Sequence, residues 1–211
     1  AMHPATHTAM PMEEIINERY ACREFDMQRS VPQEDIHFIL DAARLAPSSL
    51  ALEPWQFLVV QKPQQKEEIA QIAYGQSYIK NCNFIVILLS RIDFQDYFVE
   101  RLKQKNLPQE RFEKTLNTYL PFLQAMDDRK KLAYADAQNH LALMQMTLAA
   151  RSRKVDSCII GGFDHDALNQ YLKLDTNTHQ SCLMVAFGYR KAGETSSPKT
   201  RLPFNEVVKF L

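Results

Sequence analysis

The chain is 211 residues long and 45% hydrophobic, with 25 Lys plus Arg balancing 25 Asp plus Glu. That suits one domain with one sizeable core and leaves no bulk charge to attract nucleic acid or a membrane surface. Only five glycines are present, and only Gly161-Gly162 are adjacent, which excludes a Gly-x-Gly-x-x-Gly turn or a Walker loop, so a phosphate ligand must be held by cationic side chains and isolated amides.

Residues 1–10 carry no charged-then-apolar signal pattern and are expected to form a disordered leader. Pro11 takes the tolerated first position of a short helix reaching about Glu18, with Met12, Ile15 and Ile16 on one side. In the next stretch, Arg19-Tyr20-Ala21-Cys22-Arg23-Glu24-Phe25, two arginines stand four apart beside a helix end. They can reach one dianion by bidentate bonds, or simply meet solvent and a nearby Glu. Residues 32–46 place Ile36, Ile39, Leu40 and Ala43 at helical spacing, with His37 among them as a structural histidine. Pro47 supplies no N–H and biases Ala46 out of the α region, so the helix stops there. Ser48 and Ser49 follow as exposed hydroxyls and free amides, suited to a polar ligand edge or to a plain helix–turn–strand joint. Pro54 forces extension, and Trp55-Gln56-Phe57-Leu58-Val59-Val60 reads as a strand.

Residues 66–74 form a helix with Ile69, Ile72 and Ala73 inward and Gly75 as its C′ residue. The continuous apolar run 84–89 has the character of a central strand and is far too short to span a bilayer. Residues 93–128 are helical, polar and aromatic, with Pro121 expected to kink or break the second helix. They read as an excursion over a pocket mouth, whose Tyr119 and Phe122 either stack on a planar substrate or pack on the core. The core helix, 131–152, carries Leu132, Leu141, Leu143, Met144, Met146 and Leu148 nearly all the way round, a sign of burial on most sides. Gln138 interrupts that surface as a structural tie or a ligand contact. Residues 155–160 run as a strand into Gly161-Gly162, where backbone can approach a ligand closely, and Asp164 is placed to cap the following helix. Another buried strand covers 182–187. The four cysteines, Cys22, Cys82, Cys158 and Cys182, have no Cys-x-x-Cys and no metal-spaced histidine, a pattern of the reducing cytosol. The tail carries Lys199-Thr200-Arg201-Leu202-Pro203 and ends in apolar Val207, Val208, Phe210 and Leu211, which want another surface to cover.

Pro47-Ser48-Ser49, four further residues, then Pro54-Trp55 and an aromatic-led strand together resemble the nitroreductase family of FMN-dependent oxidoreductases. The similarity runs from about Ile15 to the C-terminus. The resemblance implies an α+β fold, a mainly antiparallel central sheet wrapped by helices, and a homodimer with FMN at the interface. Residues 11–189 would be the FMN-binding domain and 190–211 an extension over the partner and the FMN phosphate. Arg19, Arg23 and Phe25 fit a family signature that contacts the phosphate and ring edge. Tyr20 and Ala21 share that segment, Ala21 standing where many members carry Ser. Pro47, Ser48, Ser49 and Ala51 would reach the flavin from the opposite subunit, with Ala51 replacing a common Asn and Glu53 a common Gln. Gln76 corresponds to a flavin- or substrate-binding position, and Gln138-Asn139 to a pair facing the ribityl chain. Ile160, Gly161 and Gly162 correspond to the turn that offers N–H groups to the flavin N5 and O4, and Lys199 and Arg201 to cations closing over the phosphate.

On that resemblance the flavin carries the chemistry and no side chain is catalytic in its own right. NADH or NADPH is the expected co-substrate, and a nitroaromatic, a quinone or a related small molecule the acceptor, with Glu53, Tyr119 and Phe122 on the substrate side and ping-pong kinetics. A flavin or pteridine reductase, or a non-catalytic flavin-binding protein, are the alternatives on the same scaffold. No metal, no Ser-His-Asp set and no paired carboxylates compete. The expected setting is the cytoplasm, without nucleic acid or membrane.

Overall fold

The computed structural model describes residues 9–211. The expected leader therefore falls, over its first eight residues, outside the described residues. Four strands, β1 (Trp55–Val60), β2 (Phe84–Arg91), β3 (Asp156–Ile160) and β4 (His179–Gly188), make one sheet in the order β1-β2-β4-β3. Every pairing is antiparallel, and one row across the sheet reads Leu58, Ile87, Met184, Ile160. The apolar run of β2 is explained by its place inside the sheet. Ile85, Ile87 and Leu89 face a core shared with Cys158, Ile160 and Met184, while Phe84, Val86 and Leu88 face the opposite core.

Each face is sealed by helices. α2 (Gln33–Arg44) and α7 (Asp128–Ser152) cover the side of Phe84 and Val86, with Ile36, Ile39, Leu143 and Met146 inward. α3 (Pro63–Ile72), α4 (Ser77–Asn81) and α8 (His165–Tyr171) cover the other through Ile69, Ile79 and Leu168. α1 (Met12–Glu18) lies against α7. The excursion, α5 (Phe94–Gln104) and α6 (Gln109–Gln124), has its own core of Phe94, Phe98, Leu102 and Leu123 over Leu52 and Ala135. The short α9 (Phe204–Val207) sits in the tail. Among the described residues no helix is long and apolar enough to cross a membrane.

Several elements depart from expectation for local reasons. α3 starts at Pro63, because proline suits the first helical turn. Its exit is a Schellman turn with Tyr74, not Gly75, at C′: Tyr74 has φ 62°, its N–H donates to the Gln71 carbonyl at 3.2 Å, and the Gly75 N–H donates to the Ala70 carbonyl at 2.8 Å. α7 leaves in the same way with Lys154 at φ 59°, in keeping with an exit where the sequence sets Arg153-Lys154 in place of the usual glycine. α6 runs through Pro121 unbroken. Pro121 stands one turn from the helix end, and the residue whose carbonyl loses its donor, Asn117, is exposed, so water can take over.

Burial of α7 on most sides does not hold within one chain. Leu141 and Met144 are 47% and 39% exposed. With Met12, Phe38, Ala42 and Leu148 they line an open apolar hollow of about 550 Å³. Leu202, Phe204, Val207 and Phe210 of the tail are exposed as well.

Candidate functional site

The predicted site residues fall into two groups. The first is built on the loop between α2 and β1. Ser48 is extended, Ser49–Ala51 makes one 3₁₀ turn, and Leu50, Ala51 and Glu53 take left-handed φ values of 59°, 49° and 50°. Left-handed backbone costs roughly 1–2 kcal/mol for a residue with a Cβ, so this loop must be held from outside. The Ser48 hydroxyl accepts the Glu53 N–H at 2.9 Å, and the Gln138 side-chain oxygen accepts the Ser49 N–H at 2.8 Å. The Ser49 hydroxyl pairs with the Tyr134 hydroxyl, the Tyr97 hydroxyl donates to the Glu53 carbonyl at 3.0 Å, and Arg101 binds the Glu53 carboxylate.

Ser48 and Ser49 are thus half-buried, and both hydroxyls and the Ser49 amide are hydrogen-bonded within the chain, where exposed hydroxyls and free amides were expected. Gln138, read as a structural tie or a ligand contact, ties the core helix to this loop through Ser49. Pro47 and Ala51 are exposed. Phe122 sets its ring edge-on to Tyr134 at 6.1 Å, which joins α6 to the serine loop, and Tyr119 lies one turn earlier, 39% exposed.

The second group lies across the sheet. Gln76 donates to the carbonyls of Ala73 and Gly162 at 2.7 and 3.1 Å, and accepts the Tyr78 hydroxyl at 2.6 Å. Burial pushes the Tyr78 phenol and the Cys158 thiol up, while the Arg23 guanidinium beside both acts the other way. Arg23 therefore belongs with Tyr78, Gln76 and the Ile160-Gly161-Gly162 turn. Neither Gly161 nor Gly162 has left-handed φ. A Cβ at Gly161 would meet Leu183 at an ordinary 3.6 Å, and one at Gly162 would meet nothing within 4 Å. The fold itself does not require glycine at either position.

Arg19 joins two residues of the tail. Lys199 donates to the Arg19 carbonyl, and partial desolvation together with the charges of Arg19 and Arg201 pulls the Lys199 ammonium down. Tyr20 has its ring under the Arg190 guanidinium at 4.7 Å, and Ala21 is exposed and bridges Ser157. Arg101, Tyr134, Tyr78 and Arg190 were not singled out from the sequence. Tyr134 precedes Gln138 by one helical turn on α7, a spacing that could have found it. No spacing links Arg101 to Glu53 across the intervening strands.

Both groups sit at one end of the sheet, where β1 begins and β3 ends, but at opposite edges. Three strand spacings separate those edges, about 14 Å. Among the described residues no group of three His, Cys, Asp or Glu side chains could hold a metal ion.

The sequence profile described as the nitroreductase family matches residues 16–189. The Bacillus subtilis protein YfkO, assigned as an NAD(P)H nitroreductase, is 36% identical over 211 residues, spanning 92% of this chain and 95% of its own. A Haemophilus influenzae protein with the same assignment is 30% identical over 212 residues, spanning 94% and 95%. Among solved structures, a protein from Exiguobacterium sibiricum, described as a nitroreductase in complex with FMN, superposes with a TM-score of 0.85 at 22% identity, covering 98% of this chain and all of that one (100%). Bacillus subtilis ydfN superposes with the same score of 0.85 at 23% identity, covering 94% and 98%.

Proposed function

Because the chain belongs to the nitroreductase family, we propose that it is an FMN-dependent oxidoreductase that moves electrons from NADH or NADPH to a small acceptor such as a nitroaromatic or a quinone. The observation that carries this reading is the meeting of Arg19, Lys199 and Arg201, where Lys199 donates to the Arg19 carbonyl and its ammonium is destabilised by partial desolvation and then by its cationic neighbours. A phosphate dianion set among them would relieve that repulsion through charge-assisted bonds. The free space at Gly161 and Gly162 supports the same reading, since a ligand approaching the backbone is the remaining physical reason for two glycines there.

FMN would supply the hydride chemistry when bound. The chain's own task is to bind, orient and exclude water. Arg19, Lys199 and Arg201 hold the phosphate. Gly161 and Gly162 present backbone to the ring edge, and Gln76 holds that turn from behind while Arg23 stands beside its partner Tyr78. Tyr119 and Phe122 offer aromatic surface for a planar acceptor, and the co-substrate and acceptor use one open face in turn, giving ping-pong kinetics.

We assign the active form as a homodimer, in which the loop at Pro47, Ser48, Ser49 and Ala51 serves the partner's flavin. Its distance from the chain's own glycine turn supports this, as do the apolar hollow between α2 and α7 and the exposed apolar tail of 190–211. A cytoplasmic setting is supported by four cysteines that are all free and buried.

The test is a pair of flavin fluorescence titrations on apo-protein. Arg201→Ala should weaken FMN binding about tenfold to a hundredfold, one charge-assisted bond being worth roughly 1.5–3 kcal/mol. Riboflavin, which has no phosphate, should bind as before. Equal losses for both ligands would mean that Arg201 supports the ring or the fold instead.

A further inference from the structure

Asp156 opens β3 with its side chain on the core face that also carries Cys158 and Ile160, and it is 4% exposed. Its two carboxylate oxygens accept four hydrogen bonds. Arg151 Nη1 and Arg190 Nη2 donate to Oδ1 at 2.7 and 2.8 Å, and Arg190 Nε and its backbone N–H donate to Oδ2 at 2.9 and 3.2 Å. Arg151 also faces Glu18 at 3.5 Å.

Three separate segments meet at this carboxylate. β3 runs from it to Gly161 and Gly162. Residues 18–26, which carry Arg19 and Arg23, lie beside it: the Cys22 N–H donates to the Ser157 carbonyl at 2.9 Å, and Tyr20 stacks under Arg190. The tail leaves β4 at Arg190, bridged to Phe25, with the Lys191 N–H donating to the Glu24 carbonyl at 2.9 Å. The same tail returns to residues 18–26 when Lys199 reaches the Arg19 carbonyl. A buried ion pair is seldom more stabilising than apolar packing of the same volume. A bidentate fork differs from apolar packing in being directional, so it fixes register.

We propose that Asp156 and Arg190 are positioning residues for the phosphate clamp. Their forked pair sets where the tail starts relative to residues 18–26, and so whether Lys199 and Arg201 arrive beside Arg19. Neither residue touches the ligand. Through this pair the chain's preference for FMN over riboflavin is set from the far end of β3. The inference rests on the FMN reading above.

The experiment compares FMN and riboflavin affinities of apo-protein by fluorescence titration for the wild type, Arg190→Lys and Arg190→Met. Arg190 has a side chain 30% exposed, so either replacement can be accommodated, and Asp156 keeps Arg151 as its counter-ion. Arg190→Lys keeps the charge and loses the fork. Both variants should lower FMN affinity about tenfold with riboflavin affinity unchanged, so the ratio between the two ligands falls. A merely structural role would lower the melting temperature without moving that ratio. A wild type that does not prefer FMN would overturn the phosphate reading itself. A wild type that prefers FMN, with variants whose ratio stays the same, would overturn the positioning role alone.

Discussion

The side-chain oxygen of Gln138 accepts the backbone N–H of Ser49 at 2.8 Å, tying the core helix to a loop that holds three left-handed residues. Gln138 is 9% exposed, so losing this acceptor leaves the amide of a strained loop without its partner. Gln138→Ala should cost about 1–3 kcal/mol of stability, read from denaturant midpoints. Gln138→Glu keeps an acceptor on a similar stem and should recover most of that loss. Equal destabilisation by both would show that packing, not the hydrogen bond, holds the loop.

Glu53 and Arg101 form an ion pair at the tip of the same loop, with side chains about one-third exposed on Glu53 and less on Arg101. An unpaired Glu53 beside the flavin would oppose the negative charge gained on reduction, but Arg101 offsets it. Removing either partner should therefore shift the flavin midpoint potential in opposite senses. Glu53→Gln should raise it and Arg101→Gln should lower it, with about 30 mV corresponding to 1.4 kcal/mol in a two-electron couple. Spectroelectrochemical titration of both variants decides the matter. Unchanged potentials in both variants, with FMN fully bound, would mean that neither charge is felt at the ring.

FMN affinity should depend on pH in a way that riboflavin affinity does not. Desolvation and the neighbouring arginines lower the pKa of Lys199 in the free protein. Its proton must be present to bind phosphate, so affinity should fall as pH rises through that lowered value. On the acid side, a phosphate monoester loses half its charge below its second pKa of about 6, and affinity should fall again. Titrations between these limbs should give a bell for FMN and a flat line for riboflavin. In Lys199→Met the alkaline limb should disappear while the acid limb stays.

The fold was legible wherever periodicity and punctuation agreed. β1 begins at Trp55 because Pro54 forces extension, and β2 reads as central because Phe84 to Leu89 are apolar on both faces. Asp164 caps α8 as expected, accepting the Ala167 N–H at 3.0 Å. The exit of α3 was harder to read, because Tyr74 adopts a left-handed conformation that composition assigns to Gly75. Leu141 and Met144 follow the pattern of a buried helix, yet within one chain they face outward. An apolar stripe states that a face is covered but not by what. The site residues were visible as motifs, whereas their supports were not. Arg101 reaches Glu53, and Arg190 reaches Asp156, across sequence distances that only the folded sheet closes.

The claim that the chain is an FMN-dependent NAD(P)H oxidoreductase is tested most directly by one anaerobic visible absorption experiment. The purified protein is reconstituted with FMN, freed of excess flavin, and titrated with NADH or NADPH. A flavin band should remain with the protein at about one FMN per chain and should bleach when one of the two nucleotides is added. Protein that stays colourless after FMN treatment, or a retained flavin band that neither nucleotide bleaches, would contradict the account.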